Sequence, residues 1–214
     1  MRQVLFVLPG TGIKLFGYGL MLCIAFIGSI LLAAWRARRE RLEPETVYDF
    51  AFWVFLGGLV GARLFWVVQY WGHQIHRPIE IFFIWKGGIV LYGSILGGTA
   101  AFFAYWWRRR FPLRPMLDVI APSLALGIAL GRLGCFLNGC CYGDRCDLPW
   151  AVSFPGPRVG VPGDPALTLH GSPPWADQVR AGLIGPDQAW SLPVHPTQLY
   201  SPIDGLILLA LLSA

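Results

Sequence analysis

Five apolar stretches separated by polar segments set the pattern of this chain: 13–35, 47–71, 87–107, 116–137, and 199 to the end. Each of the first four is long enough for the roughly 20 helical residues that cross a bilayer. The first is followed by RARRER and the third by RRRFPLR. With spans alternating in direction, these two basic segments fall on one side, which an excess of arginine marks as cytoplasmic. The N-terminus, the HQIHRPIEIFF connection and the segment 140–196 then lie outside. Trp35, Trp71, Trp85, Trp106 and Trp107 sit at span ends, as interfacial aromatics do. The expected fold is all-α and polytopic. It has about five transmembrane helices, N-terminus outside, in a single domain over 1–214 with a long irregular outer loop at 140–196. The first stretch is not a cleaved signal, because its charge follows the apolar core instead of preceding it. The last stops at Ala214 without a flanking charge or aromatic anchor, so further C-terminal spans are expected to be missing.

Composition agrees with the pattern: 55% of the residues are hydrophobic and 14% charged. That is too apolar for an ordinary soluble domain. The net charge of +5 would suit nucleic acid, but the basic residues lie beside apolar runs. Their placement is a topology signal, and no nucleic-acid partner is expected.

Helix rise turns sequence position into depth. At about 1.5 Å per residue, Arg132 lies roughly 24 Å from Met116 and Arg63 roughly 22 Å from Tyr48, both in the outer third of their spans. Tyr18 and Tyr92, on spans running the other way, reach a similar level, and Asn138 follows Arg132 at the outer mouth. A guanidinium at that depth does not shed its proton and needs an anion. The spans offer few acids: Asp118 lies at a cytoplasmic end and Asp204 stands alone in the last stretch. A phospholipid phosphate, gripped by two hydrogen bonds, meets the need. The alternative is that each arginine bonds to helix-end carbonyls or snorkels outward as an anchor. GGLVGAR, WKGGIVLYGSILGG and GIALGRLG carry small residues at the spacing that lets helices approach closely.

Six segments together resemble the prolipoprotein diacylglyceryl transferase family: YGLM (18–21), GAR (61–63), WKGGIVLYGS (85–94), GRLGCFLNG (131–139), LPWAVSFP (148–155) and HPTQLY (195–200). They follow one another in family order over essentially the whole chain. The resemblance implies transfer of the diacylglyceryl group of phosphatidylglycerol to the lipobox cysteine of a prolipoprotein signal peptide. This takes place in the bacterial cytoplasmic (inner) membrane, with the lipid bilayer as partner and no cofactor or metal. It places Arg132 on the signature arginine that engages the phosphate, and Tyr18 and Asn138 on motif residues that bond headgroup or thiol. Arg63 falls on the second-span arginine, which binds phosphate or holds the cavity together. Catalysis is thus expected of Arg132, Tyr92, Tyr18 and Asn138, and phosphatidylglycerol binding of Arg132, Arg63 and Tyr18.

Four positions depart from the family pattern. Tyr92 replaces a histidine, Cys135 an asparagine, Cys140 a glutamate and Ser201 a glutamate. A tyrosine with its ordinary pKa of about 10 is a poor base at neutral pH. Cys135, Cys140, Cys141 and Cys146 form C-x4-C-C-x4-C, with Cys23 apart in the first span. In an oxidising compartment such a group suits a disulfide, for which three pairings stay open. The spacing matches no C-x2-C metal pair, and His170 and His195 read as surface or capping residues. A second possibility is a reactive Cys140 thiolate activated by Arg132. Two further readings of the whole chain remain: a catalytically silent lipid-binding scaffold, or a membrane thiol-redox protein using the cysteine cluster.

Overall fold

The computed structural model describes residues 4–7, 14–71, 81, 87–157 and 171–213. Most of the HQIHRPIEIFF connection, Trp85, and the stretch 158–170 with His170 lie outside the described residues. The elements follow as β1 (Val4–Val7), β2 (Lys14–Phe16), α1 (Gly17–Arg39), α2 (Pro44–Tyr70), α3 (Leu91–Arg109), α4 (Leu113–Asn138), α5 (Pro173–Arg180) and α6 (Thr197–Ser213).

Each expected apolar stretch is a helix. Three of them, α1, α2 and α4, are long and apolar enough to cross a membrane, and α6 is a shorter apolar helix of 17 residues. The first helix begins later than its hydropathy suggests, because Lys14–Phe16 pairs antiparallel with β1. It then continues to Arg39, since Arg36, Arg38 and Arg39 in its last turn meet the negative end of the helix dipole. Pro44, with its fixed φ, opens α2.

The chain divides into two compact units, one made of Met1–Ser29 with Ala121–Ala214 and the other of Ile30–Ile120. In the Ile30–Ile120 unit, α2 and α3 meet along the small residues. A Cβ on Gly57 would stand 2.5 Å from the Ala101 Cβ, and one on Gly97 2.9 Å from the Gly61 Cα. A Cβ on Gly61 would run into the Gly93 carbonyl. Gly61→Val is therefore expected to destabilise the unit by about 1–3 kcal/mol, as overpacking does. Thermal unfolding in detergent checks this, with Gly131→Val as the control, since Gly131 has nothing within 4 Å of an added Cβ.

The core of this unit joins Ala33, Ala34 and Ala37 of α1, Val47 and Phe50 of α2, Phe102 of α3, and Met116 and Val119 of α4. Phe50 and Phe102 meet edge to face at 5.6 Å. Beside this core both basic connections come to one end of the unit. Arg109 lies 3.6 Å from Asp49, and the Tyr105 hydroxyl donates to the same carboxylate at 3.1 Å. Arg39 stacks over Trp35 at 3.8 Å, and Arg110 flanks Trp106 and Trp107.

In the other unit, α1 and α4 touch at Ser29 against Gly127 and at Tyr18 and Met21 against Gly134. Gly205 of α6 closes on Ala125 and Ala129 of α4. The described part of the segment after α4 is irregular, as expected, apart from the short helix α5, but it is packed and internally bonded. Val152 exchanges two backbone bonds with Val194, both 3.1 Å, and Ser191 N–H donates to Phe154 O at 2.8 Å. Buried Phe154, Trp175, Ile184 and Val194 supply its apolar centre. Two of its buried polar side chains are met internally: the Gln178 amide bonds Leu192 in both directions, and Trp175 Nε1 donates to Gln188 O at 2.7 Å.

Within this segment the Tyr142 hydroxyl donates to Asp177 Oδ2 at 2.7 Å. Burial first, then this bond and the carboxylate charge, push the phenol up to about 12. The unfolded chain loses that proton near pH 10, so the folded state holds it more tightly. The stabilisation is whole below about pH 10 and is lost as pH rises from there through about 12. Tyr142→Phe is expected to flatten this alkaline loss, read from tryptophan fluorescence during pH titration.

Candidate active site

Arg132 stands on α4 two turns before its end, part-buried, and among the described residues no group bonds its guanidinium. Gly134, two residues on, lets α1 close in: a Cβ there would lie 3.3 Å from the Tyr18 ring and 3.1 Å from Met21. Tyr18 itself is 38% exposed in the first turn of α1. Asn138 ends α4 and is engaged by neighbouring groups. Arg132, Tyr18 and Asn138 thus belong to one unit, at the same end of α4.

The chain reverses directly after Asn138. Gly139 has φ +76, and its neighbour Phe154 would be 3.1 Å from an added Cβ. The positive φ and the tight space both favour a residue without a side chain there. Cys140 N–H donates to Cys135 O at 3.1 Å, closing the helix. Cys141 then takes φ +59, a region that costs a non-glycine residue about 1–2 kcal/mol. The Sγ atoms of Cys135, Cys140 and Cys141 all lie within 4.8 Å of one another. Cys146 and Cys23 are outside that group, and all five cysteines carry free thiols.

HPTQLY supplies residues whose importance the sequence reading passed over. Thr197 Oγ1 donates to Cys141 O at 2.7 Å and Gln198 Nε2 to Cys140 O at 2.8 Å. Gln198 is fully buried, so the start of α6 holds the cysteine turn from behind. His195, expected to be a surface or capping residue, exchanges backbone bonds with Gly143 and Asp144. Its Nδ1 lies 3.2 Å from the Tyr200 hydroxyl, which accepts from Trp150 Nε1 at 2.8 Å. A Trp150–Tyr200–His195 chain is satisfied when Nδ1 accepts the phenol proton. The signal was the motif itself, whose polar residues are spaced to face backward from a helix start.

Arg63 and Tyr92 belong to the other unit. Arg63 is 7% exposed and donates from Nε to Ile81 O at 2.8 Å and from Nη1 to Gly87 O at 2.7 Å and Gly88 O at 3.0 Å. Its guanidinium also stacks over Trp66 at 4.2 Å. Gly87 and Gly88 sit at φ +89 and +83, and a Cβ on Gly88 would be 2.6 Å from Arg63 Nη1. Tyr92, in the first turn of α3, is 74% exposed.

The fold and the site define an all-α polytopic membrane protein in which an arginine near the end of one span has no bonding partner among the described residues and a folded polar segment lies next to it. The chain belongs to the prolipoprotein diacylglyceryl transferase family, whose model matches residues 3–214. It is 36% identical over 198 residues to the phosphatidylglycerol–prolipoprotein diacylglyceryl transferase of Rhodopirellula baltica, covering 83% of this chain and 40% of that protein. The Synechococcus elongatus protein of the same name is 43% identical over 138 residues, 64% of this chain and 48% of its own. That of Trichormus variabilis is 32% identical over 195 residues, 91% and 60% respectively. The chain thus spans roughly half the length of these curated relatives, between 40% and 60%.

Proposed function

We propose that this chain is a phospholipid-dependent transferase of the bacterial cytoplasmic membrane. It moves the diacylglyceryl group of phosphatidylglycerol onto the lipobox cysteine thiol of a prolipoprotein. The observation that carries the reading is Arg132, a part-buried cation near the end of an apolar helix with no bonding partner among the described residues. A guanidinium so placed favours a phosphate, which it grips through two charge-assisted hydrogen bonds. As the carbon–oxygen bond to phosphate breaks, charge grows on the departing glycerol phosphate, and Arg132 stabilises it where it forms.

Tyr18 and Asn138, at the same end of α4, orient headgroup or acceptor thiol. Of the two roles expected for Arg63, its three carbonyl bonds support a structural one within its own unit over contacting phosphate. Tyr92 is free to approach substrate, being exposed. The two basic connections at one end of the Ile30–Ile120 unit support a cytoplasmic placement of that end.

The test uses the full chain purified in detergent, labelled phosphatidylglycerol and two lipobox peptides, one with cysteine and one with serine in its place. Label is expected on the cysteine peptide alone. No label on it at any protein concentration rejects the reading.

A further inference from the structure

The turn after α4 gathers three thiols, and three is the wrong number for a disulfide. Cys135, Cys140 and Cys141 have their sulfurs within 4.8 Å of one another, with Cys146 left out. A disulfide joins two sulfurs at about 2.0 Å and strands the third. In a zinc thiolate site, with metal–sulfur bonds of about 2.3 Å, sulfurs stand roughly 3.8 Å apart. No pair here needs to close by more than about 1 Å to reach that arrangement.

The backbone is built to keep the trio together. Cys141 occupies left-handed space that glycine would fill at less cost, yet the residue is a cysteine whose sulfur joins the group. The carbonyls of Cys140 and Cys141 are held from α6 by Gln198 and Thr197. The loop is therefore fixed through backbone bonds that tie none of the three sulfurs into a disulfide, and the Cys140 thiol makes only a long bond to Cys135 O at 3.8 Å.

Thiolates select soft or borderline ions over magnesium or calcium. Among the described histidines, cysteines and acids, no fourth residue joins the group. Structural zinc takes four protein ligands, whereas three with one open position is the catalytic arrangement. The group also sits one helical turn from Arg132, since residues three apart share a helix face.

We propose that Cys135, Cys140 and Cys141 hold a zinc-class ion whose open position binds the acceptor's thiol. This rests on the transferase reading and deepens it by supplying the activation of sulfur. The acceptor S–H gives its proton to solvent on binding the ion. Its sulfur then forms the bond to the terminal glycerol carbon of the diacylglyceryl group, and the carbon–oxygen bond to phosphate breaks. The electron pair leaves with glycerol phosphate beside Arg132, and the ion keeps its charge throughout. The expectation of no metal came from the family resemblance and from the C-x4-C-C spacing, and spacing does not reveal that the reversal at Gly139 folds the pair back onto Cys135.

The test is a cobalt titration of the full chain in detergent with a non-thiol reductant, needing neither lipid nor turnover. One equivalent of Co²⁺ is expected to raise a thiolate-to-cobalt absorption band. That band is expected to vanish in C135S, C140S and C141S and to persist in C146S and C23S. The cysteine lipobox peptide is expected to shift the visible cobalt bands, and the serine peptide to leave them unchanged. Because a variant can fail for reasons of folding, the wild type is also alkylated with and without Zn²⁺. Zinc is expected to protect Cys135, Cys140 and Cys141 and to leave Cys146 reactive. No band and no protection overturns the centre, whatever the transfer assay gives. A Cys135 disulfide to Cys140 or Cys141 in the protein as isolated does the same. A band blind to the cysteine peptide overturns the acceptor role. A responsive band in a protein that transfers no label instead defeats the transferase reading and leaves the centre standing.

Discussion

Arg132→Gln is expected to lower diacylglyceryl transfer by about 10²–10³-fold, the loss that follows removal of one donor aimed at charge developing in a transition state. The fold is expected to survive the change. Among the described residues no group bonds the Arg132 guanidinium, so its removal strands no donor or acceptor. Stability should move by less than about 0.5 kcal/mol. Arg132→Lys keeps the charge but loses the two-pronged planar grip, and its rate should fall between the two. Initial rates with labelled lipid, paired with thermal unfolding of each variant, check all three statements. A large loss of stability in Arg132→Gln would assign the residue to structure instead.

Arg63→Met is expected to behave in the opposite way. Its side chain serves the carbonyls of Ile81, Gly87 and Gly88, and shields them under Trp66. Methionine leaves those acceptors without their donor in a setting where Arg63 was 7% exposed. Bonds from a charged donor contribute roughly 1.5–3 kcal/mol each, with strong overlap among bonds from one group, so a loss of about 2–4 kcal/mol is expected. Lysine should rescue little, because a single ammonium cannot donate in the two directions that Nε and Nη1 serve. Thermal unfolding in detergent measures the loss. Transfer measured well below the unfolding temperature should fall far less than in Arg132→Gln.

The contrast between the two arginines marks how far the sequence could be read. Both were legible as charges deep in apolar runs, because hydropathy and helix rise fix depth from sequence alone. Their partners were not. Arg63 finds carbonyls on two consecutive glycines at positive φ, a geometry that WKGG permits but does not announce. The helices were legible because apolar runs end at arginine clusters and Pro44 opens α2, and close helix approach because Gly57, Gly61, Gly93 and Gly97 recur at helical spacing, though not which helices meet. The packing of the irregular segment after α4 was not legible, because it comes from distant partners. Gln178 bonds Leu192 and Gln198 bonds Cys140, and such pairs leave no period in the chain. The thiol group was hidden for the same reason: a helix end and a reversal at Gly139 set it, and spacing counts neither.

The role given to Arg132 requires that it hold the lipid phosphate. Native mass spectrometry of the protein in detergent, after equilibration with phosphatidylglycerol, counts the lipid retained on each variant. One phosphatidylglycerol is predicted on the wild type and on Arg63→Met where that variant is folded, and none on Arg132→Gln. Equal retention by folded Arg132→Gln and the wild type would contradict the account.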